Sequence, residues 1–271
     1  MRIFSLNKTA VFAVCFAFFV TWGCDEKVSD EVTIEKTDTI PVQLKETTPS
    51  NKTSPTEDFP ILNNENAVPF LRNYFKDNPE RKLQLTTRLG TLKIRLYDET
   101  PLHTANFLML VKRDYFDNTE FTRVVENFVV QGGNNDKESE ELKRLLIGNY
   151  LIPPEMSEKL FHKKGALAMA RNYEDNPEKL SSAYNFYFVH GQKFNEPQLL
   201  GMERDHEMTI SDEKRSVYKT IGGAPHLDGE HTVFGEIYEG LDVLDKMAAV
   251  ETDKSDWPII PLVMEISVLD E

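Results

Sequence analysis

Hydrophobic and polar residues alternate in several short segments of this chain and recur with a wider spacing in a few others. Alternation with a period of two is typical of a half-buried β-strand, and a period near 3.6 is typical of an amphipathic helix. Leu92, Ile94 and Leu96 alternate with Lys93 and Arg95, so one face of this segment is apolar and the other is charged. The pattern therefore predicts strands with one buried face.

The same reading predicts the order of the elements. Strand-like segments occur at residues 82–87, 91–98, 121–131, 166–170, 185–189 and 232–237, and a last one alternates through Leu262, Met264, Ile266 and Val268. Helical spacing occurs at residues 68–77, 100–111, 137–146 and 241–248, with Thr100 as N-cap and Pro101 at the first position of the second helix. Residues 195–218 are highly charged and predict a solvated loop. Many short strands with few helices favour a mainly antiparallel sheet closed as a barrel.

The N-terminal segment has the pattern of a targeting sequence. Arg2 and Lys8 precede an almost wholly apolar run at residues 10–22, which has the length of a signal-peptide core and is too short for a bilayer span. The run ends at Gly23-Cys24, which resembles a bacterial lipobox. We therefore predict a lipoprotein signal peptide at residues 1–23 and a lipid anchor at Cys24. A secreted protein in which Cys24 is incidental, or an uncleaved anchor, are the alternatives.

Composition divides the rest of the chain. Residues 24–66 are rich in Asp, Glu, Thr, Ser, Lys and Pro, and their apolar residues occur singly. Such a segment buries too little apolar surface to offset the entropy of ordering it, which predicts a disordered tether. We expect a short helical extension at residues 67–81 and a single domain at residues 82–271.

Charge and cysteine content narrow the function classes. The formal net charge of −14 argues against a nucleic-acid partner, because an acidic surface repels phosphates. Cys15 and Cys24 are the two cysteines of the chain, so the predicted domain has neither a disulfide nor a thiol nucleophile. The sequence contains no Gly-x-Ser-x-Gly elbow, phosphate-binding glycine loop or His/Asp/Glu set with metal-ligand spacing. It predicts no cofactor and no metal.

Sequence blocks in the predicted domain resemble those of cyclophilins in their order and spacing. The blocks are GTLKIRLY at 90–97, Pro101, Asn106-Phe107, FTRVV at 121–125, NFVVQGG at 127–133, GALAMAR at 165–171, NFYFV at 185–189, LDGEHTVFG at 227–235 and GLDVL at 240–244. The resemblance extends over residues 82–269. It implies an eight-stranded antiparallel barrel capped by two helices, with the substrate groove on the outside, and peptidyl-prolyl cis/trans isomerase activity.

The resemblance also implies the site residues. Arg123 matches the catalytic arginine of the family. Substrate-binding positions are matched by Phe128, Val129, Gln131, Ala170, Arg171, Asn185, Tyr187, His226, Leu227 and His231. Thr122 stands where the family usually has histidine, and Asn185 replaces a glutamine that is one methylene longer. The expected partners are proline-containing polypeptides, with the chain acting as a monomer.

Three function hypotheses follow from this reading. The first is an isomerase acting on X-Pro bonds in envelope or exported proteins, anchored by Cys24 in the cell envelope and either periplasmic or surface-exposed. The second keeps the fold without efficient catalysis, as a proline-binding or chaperone-like envelope lipoprotein. The third is an envelope interaction protein whose activity lies in residues 195–218. Arg123 favours the enzyme, and Asn185 favours the binding protein.

Overall fold

The computed structural model describes residues 59–133 and 137–269. The predicted signal peptide, Cys24 and the first part of the predicted tether lie outside the described residues. The helices are α1 (Ala67–Asp77), α2 (Pro101–Lys112), α3 (Glu138–Ile147), α4 (Glu196–Asp205), α5 (Asp212–Thr220) and α6 (Leu241–Ala248), with a 3₁₀ turn at Pro225–Leu227. The strands are β1 (Lys82–Thr87), β2 (Gly90–Leu96), β3 (Phe121–Val125), β4 (Val129–Gly132), β5 (Leu151–Ile152), β6 (Ala166–Met169), β7 (Ser181–Ser182), β8 (Phe186–Val189), β9 (Val233–Glu239) and β10 (Glu265–Val268).

Eight of the strands form one antiparallel sheet in the order β10-β1-β2-β9-β6-β8-β4-β3, and β5 pairs with β7 separately. The structure confirms the mainly β, antiparallel sheet predicted from the short alternating segments; the sequence predicted a closed barrel, and the eight strands form a half-barrel. At its outer strands an antiparallel bridge joins Glu120 to Val263, and the Phe121 N–H donates to the Leu262 carbonyl at 3.0 Å.

Alternate rows of residues across the sheet face opposite sides. Val124 pairs with Val130, Val130 with Phe188, and Phe188 with Leu167, so this row crosses four strands. All four residues belong to the main hydrophobic core, together with Phe107 of α2. Because side chains alternate along each strand, the neighbouring row faces away from this core.

The N-terminus of α2 is capped by a residue distant in sequence. The predicted N-cap Thr100 occupies that position, but its side chain accepts no capping hydrogen bond and donates to the Tyr97 carbonyl at 3.4 Å. The Glu155 carboxylate accepts the N–H groups of Leu102 and His103 at 3.0 Å each. Thr100 is therefore the N-cap residue by position, but the partly buried Glu155 carboxylate binds the free amides and the positive end of the helix dipole in its place.

Residues 121–131, which the sequence predicted as one strand, form the hairpin of β3 and β4. Asn127 at the turn has φ 63°, a left-handed conformation that asparagine tolerates. Its N–H donates to His190 Nδ1 at 2.8 Å. Both halves of the segment are apolar, so hydrophobicity alone did not reveal the turn.

The prediction of a solvated loop at residues 195–218 was wrong. The segment forms α4 and α5, and Asn195 and Gln198 form a reciprocal capping box at the start of α4. A small core of Phe194, Leu199, Ile210 and Tyr218 lies between them. Charged residues such as Arg204 and Asp205 are exposed to solvent, whereas Lys214 is buried. The number of charged residues concealed the few apolar positions.

The last residues of the predicted tether are packed on the domain. Leu62 is buried, and its N–H donates to the Ile147 carbonyl at 2.7 Å. Gly148 approaches Leu62 so closely, at φ +127°, that a Cβ would overlap the Leu62 backbone. The tether prediction was therefore wrong for residues 59–66, because the partner of Leu62 is distant in sequence. Within the described ranges, no helix is both long and apolar enough to span a bilayer.

Candidate active site

Arg123 lies in a row of residues that crosses the sheet on the face opposite the main core. It pairs with Gln131 on β4, which pairs with Tyr187 on β8, which pairs with Ala168 on β6. Residues directly opposite one another on adjacent strands point to the same face. The register therefore places the arginine on the same side as Tyr187.

This face carries a second apolar cluster, separate from the main core. Its buried members are Val129, Ala166, Ala168, Ala170, Tyr187, Val189, Ala224, Leu227 and Val233, with Phe128, Tyr97 and Leu160 packed against them. Four of the predicted substrate-binding residues, Phe128, Val129, Tyr187 and Leu227, thus come together outside the core. A sequence pattern cannot distinguish this arrangement from ordinary core packing.

The Arg123 side chain lies beside this cluster and remains accessible. Its Cζ is 5.7 Å from the centre of the Phe128 ring. Its Nε is 3.5 Å from Asp256 Oδ2, and the two side chains are 43% and 46% exposed. A pair this exposed is weak, so the guanidinium can exchange Asp256 for another acceptor at little cost.

Phe128 is fixed by its backbone and by its ring. Its carbonyl accepts the N–H groups of His190 and Gly191, both at 3.0 Å. Its ring stacks on that of His226, with centres 5.3 Å apart and planes 27° apart. Burial, and then the neighbouring His206 and His162, lower the pKa of His226. The imidazole is therefore neutral at pH 7 and forms an uncharged wall.

A buried hydrogen-bond network fixes the position of the Tyr187 hydroxyl. The Tyr187 hydroxyl lies 3.0 Å from His162 Nε2, and His162 Nδ1 lies 3.0 Å from Asp228 Oδ1. The other carboxylate oxygen, Oδ2, accepts from the Tyr218 hydroxyl at 2.8 Å and pairs with Lys214 Nζ at 3.3 Å. Facing a carboxylate oxygen, which can only accept, His162 Nδ1 donates to Asp228.

The charges of this network determine the protonation state of Asp228. Burial alone would raise the pKa of Asp228, but hydrogen bonds from His162 and the charge of Lys214 outweigh burial and lower it. Burial also raises the pKa of Tyr187 well above its ordinary value. The network therefore consists of an ionised carboxylate and a neutral phenol near pH 7.

His231, predicted as a substrate-binding residue, is buried. Its Nδ1 is 3.1 Å from the Met169 carbonyl, and its Nε2 is 2.7 Å from the Tyr173 hydroxyl. Burial, and then the nearby His162, lower the pKa of His231 to about 4. Its ring packs edge-on against Tyr187, with centres 5.6 Å apart.

Ala170 and Arg171 differ in whether their backbone groups are hydrogen-bonded within the protein. The Ala170 N–H donates to the Asn185 carbonyl, and the Ala170 carbonyl accepts the Ser182 N–H, both at 2.9 Å. Among the residues that the structure describes, the Arg171 N–H and carbonyl have no hydrogen-bond partner. The Arg171 side chain donates to the Glu230 carbonyl at 2.8 Å and lies over the Tyr173 ring.

Sequence reasoning missed the residues behind the pocket. His162, Asp228, Lys214 and Tyr218 come from three separate segments, and their spacing along the chain carries no recognisable motif. Asp228 lies in the segment from Leu227 to Gly235, from which Leu227 and His231 were predicted as site residues and Asp228 was not. Asn185 and Gln131 lie half-buried beside the cluster.

Comparison with known proteins gives a consistent result. Residues 82–268 match the family model described as cyclophilin type peptidyl-prolyl cis-trans isomerase/CLD. A peptidyl-prolyl cis-trans isomerase of Schizosaccharomyces pombe is 31% identical over 182 residues, which cover 66% of this chain and 93% of that protein. A Streptococcus pyogenes protein, whose name joins a phosphatase to a peptidyl-prolyl cis-trans isomerase, is 32% identical over 193 residues, or 70% of this chain and 39% of that protein.

A solved structure agrees in fold. The cyclophilin type peptidyl-prolyl cis-trans isomerase of Cryptosporidium parvum, crystallised in the presence of the dipeptide Ala-Pro, superposes with a TM-score of 0.50 and 21% identity. The match covers 70% of this chain and 100% of that one.

Proposed function

The chain belongs to the cyclophilin-type peptidyl-prolyl cis-trans isomerases, and we propose that Arg123 and the adjoining apolar cluster are where it rotates X-Pro bonds. The observation that carries this proposal is the position of Arg123, accessible and beside the Phe128 ring, on the face of the sheet that holds the second apolar cluster. An isolated strand arginine on a polar surface would lack such a neighbour.

The reaction requires little chemistry. The C–N bond of an amide resists rotation because nitrogen donates its lone pair to the carbonyl, with a barrier of ~20 kcal/mol. No bond breaks during isomerisation, so the enzyme needs a donor for the prolyl nitrogen and a surface that holds the ring. Acceleration by about 10⁵ corresponds to ~7 kcal/mol of stronger binding to the transition state than to the ground state.

Each part of the site has a role in this proposal. The Arg123 guanidinium donates to the prolyl nitrogen as the amide loses planarity, which keeps the lone pair on nitrogen. Phe128, Val129, Tyr187 and Leu227 hold the proline ring by apolar contact. Because the pair with Asp256 is weak, the guanidinium reaches the substrate without losing a strong interaction.

The groove beyond the proline pocket binds the substrate backbone. Arg171 pairs with the extended peptide through its backbone N–H and carbonyl. The backbone N–H and carbonyl of Ala170 are already hydrogen-bonded within the protein, so Ala170 fixes the position of the neighbouring Arg171. Gln131, directly across from Arg123 in the strand register, orients the guanidinium. Asn185 makes a polar substrate contact, and its shorter side chain reaches the peptide through water. His226 and His231 support the rings of Phe128 and Tyr187.

A proline-isomerisation assay on a tetrapeptide tests the proposal. We expect catalysis by the wild type and a loss of at least ~10-fold in kcat/KM for Arg123→Ala, equivalent to about 1.4 kcal/mol. Arg95→Ala is the matched control, since Arg95 is an exposed strand arginine paired with Glu236 at 2.6 Å. Equal rates for wild type and Arg123→Ala would favour the proline-binding or chaperone-like alternative.

We further propose that the protein acts in the cell envelope on exported polypeptides, held there by a lipidated Cys24 and a tether, as a monomer. The apolar run before Cys24 and the acidic segment after it support this placement. Mass spectrometry of the mature N-terminus tests the anchor: an acylated Cys24 is expected, and an unmodified or uncleaved N-terminus would exclude it.

We also propose that the half-barrel is closed, which the bridge between Glu120 and Val263 supports.

A further inference from the structure

The segment inserted between β8 and β9 is joined to the candidate site through a narrow neck. Gln192 and Gly223 exchange backbone hydrogen bonds at 3.1 and 3.0 Å, and the Phe194 N–H donates to the Tyr218 carbonyl at 3.1 Å. A Cβ at Gly223 would lie 2.2 Å from the His162 carbonyl oxygen. This close approach fixes α4 and α5 against the loop that leads to Leu227.

A cleft of about 370 Å³ lies where the small core of the insertion meets the apolar cluster of the candidate site. Its lining is Glu126, Asn127, Phe128, Gln192, Phe194, Met202, Gly223, Ala224 and His226. Phe128 and Ala224 also belong to the apolar cluster beside Arg123, whereas Phe194 and Met202 belong to the insertion. The cleft is therefore continuous with the proposed proline pocket through Phe128.

The lining favours an apolar occupant. Phe128, Phe194, Met202 and Ala224 present carbon surfaces, and the stacked His226 ring adds an uncharged wall. Methionine adapts its shape to different apolar partners. The volume lies within the range of ligand pockets and leaves room for a large side chain.

We propose that this cleft is a specificity subsite, which binds a large apolar side chain of the substrate next to the proline, on the side away from Arg171. The inference rests on the proposed function, since it takes the neighbouring cluster as the proline pocket. A peptide that passes from Arg171 across the proline pocket continues along Phe128, which is shared by the pocket and the cleft. The insertion thereby selects sequences around the proline, while Arg123 supplies catalysis.

The test is a series of proline tetrapeptides in which leucine or glycine occupies each position flanking the proline, assayed on the full-length protein. We expect one position to give at least a 5-fold higher kcat/KM with leucine than with glycine in the wild type. Met202→Ser should reduce this preference to below 2-fold, chiefly by lowering kcat/KM for the leucine peptide. Met202→Leu should retain the preference, because its side chain remains large and apolar.

Leu200→Ser is the matched control, because Leu200 lies on the same helix and is 51% exposed. Circular dichroism melting of each variant identifies any loss of folding. If the wild type prefers leucine at no position, or if Met202→Ser keeps the preference, the subsite is refuted. A wild type that fails to isomerise any peptide would instead refute the proposed function.

Discussion

Lys214 and Asp228 form an ion pair in which the Nζ–Oδ2 distance is 3.3 Å and the side chains are only 8% and 6% exposed. Lys214 lies on the inserted helix α5, and Asp228 directly follows Leu227, a member of the apolar cluster. Through Asp228 and His162 it also reaches the hydroxyl of Tyr187. The insertion is therefore connected to the candidate site by a buried charged contact as well as by chain continuity.

Replacing Lys214 should destabilise the protein. Lys214→Met leaves the buried Asp228 carboxylate without its cation, and we expect a loss of about 3 kcal/mol in the free energy of unfolding, measured by urea denaturation. Lys219→Met on the same helix is the control, because Lys219 pairs with Glu196 at the surface. A loss below ~1 kcal/mol for Lys214→Met would show that Tyr218 and His162 alone hold the carboxylate.

Two substitutions of Tyr187 separate its ring from its hydroxyl. Tyr187→Phe removes the hydrogen bond to His162 and should lower the unfolding free energy by about 1 kcal/mol, with kcat/KM within ~3-fold of wild type. Tyr187→Ala removes the apolar surface that holds the proline ring and should lower kcat/KM by at least ~10-fold. Tetrapeptide assays and urea denaturation provide both measurements. Equal activity of Tyr187→Ala and wild type would place the proline elsewhere.

Asp256 competes with the substrate for Arg123 in our proposal. Asp256→Asn removes the charge, and asparagine tolerates the φ of 63° observed at this position. We expect kcat/KM to rise by up to ~3-fold and the unfolding free energy to stay within ~0.5 kcal/mol, because the pair is half-exposed. A fall of more than ~5-fold in kcat/KM would mean that Asp256 positions the guanidinium instead.

The buried His231 should make stability depend on pH. Its pKa is lowered from 6.5 to about 4 in the folded protein, so the unfolded chain binds a proton between these values and the folded protein does not. The free energy of unfolding should therefore fall as the pH decreases from 6.5 to 4, by about 3 kcal/mol from this residue. Urea denaturation across this range measures the effect. His231→Gln should weaken the dependence, and an unchanged dependence would assign it to other groups.

Glu155 should stabilise α2 from outside the helix. Its carboxylate accepts the Leu102 and His103 N–H groups and lies 2.7 Å from His103 Nδ1. We expect Glu155→Ala to lower the free energy of unfolding by about 2 kcal/mol, because buried amides lose their acceptor. The exposed Glu178→Ala is the control, and thermal or urea denaturation makes the comparison. Equal stability of the two variants would show that water replaces the carboxylate.

Local sequence patterns determined most elements of the half-barrel. The helix predicted at residues 241–248 has these same bounds in the structure, since its apolar stripe and the preceding Gly240 are local signals. The helix at residues 137–146 and the strands around Leu92 and Tyr187 were likewise predicted to within about two residues. Arg123 and the substrate-binding residues were predicted from their resemblance to a family, and the strand register then placed the arginine on the same face of the sheet as Tyr187.

Contacts between distant segments were decided by tertiary structure alone. The pair of Lys214 with Asp228, the cap that Glu155 provides for α2, and the burial of Leu62 beside Gly148 join residues with no common periodicity. A charged residue has the same pattern in the sequence whether it is solvated or buried with a partner. Only packing supplies the partner that offsets the cost of desolvation, so these contacts exist only in the folded chain.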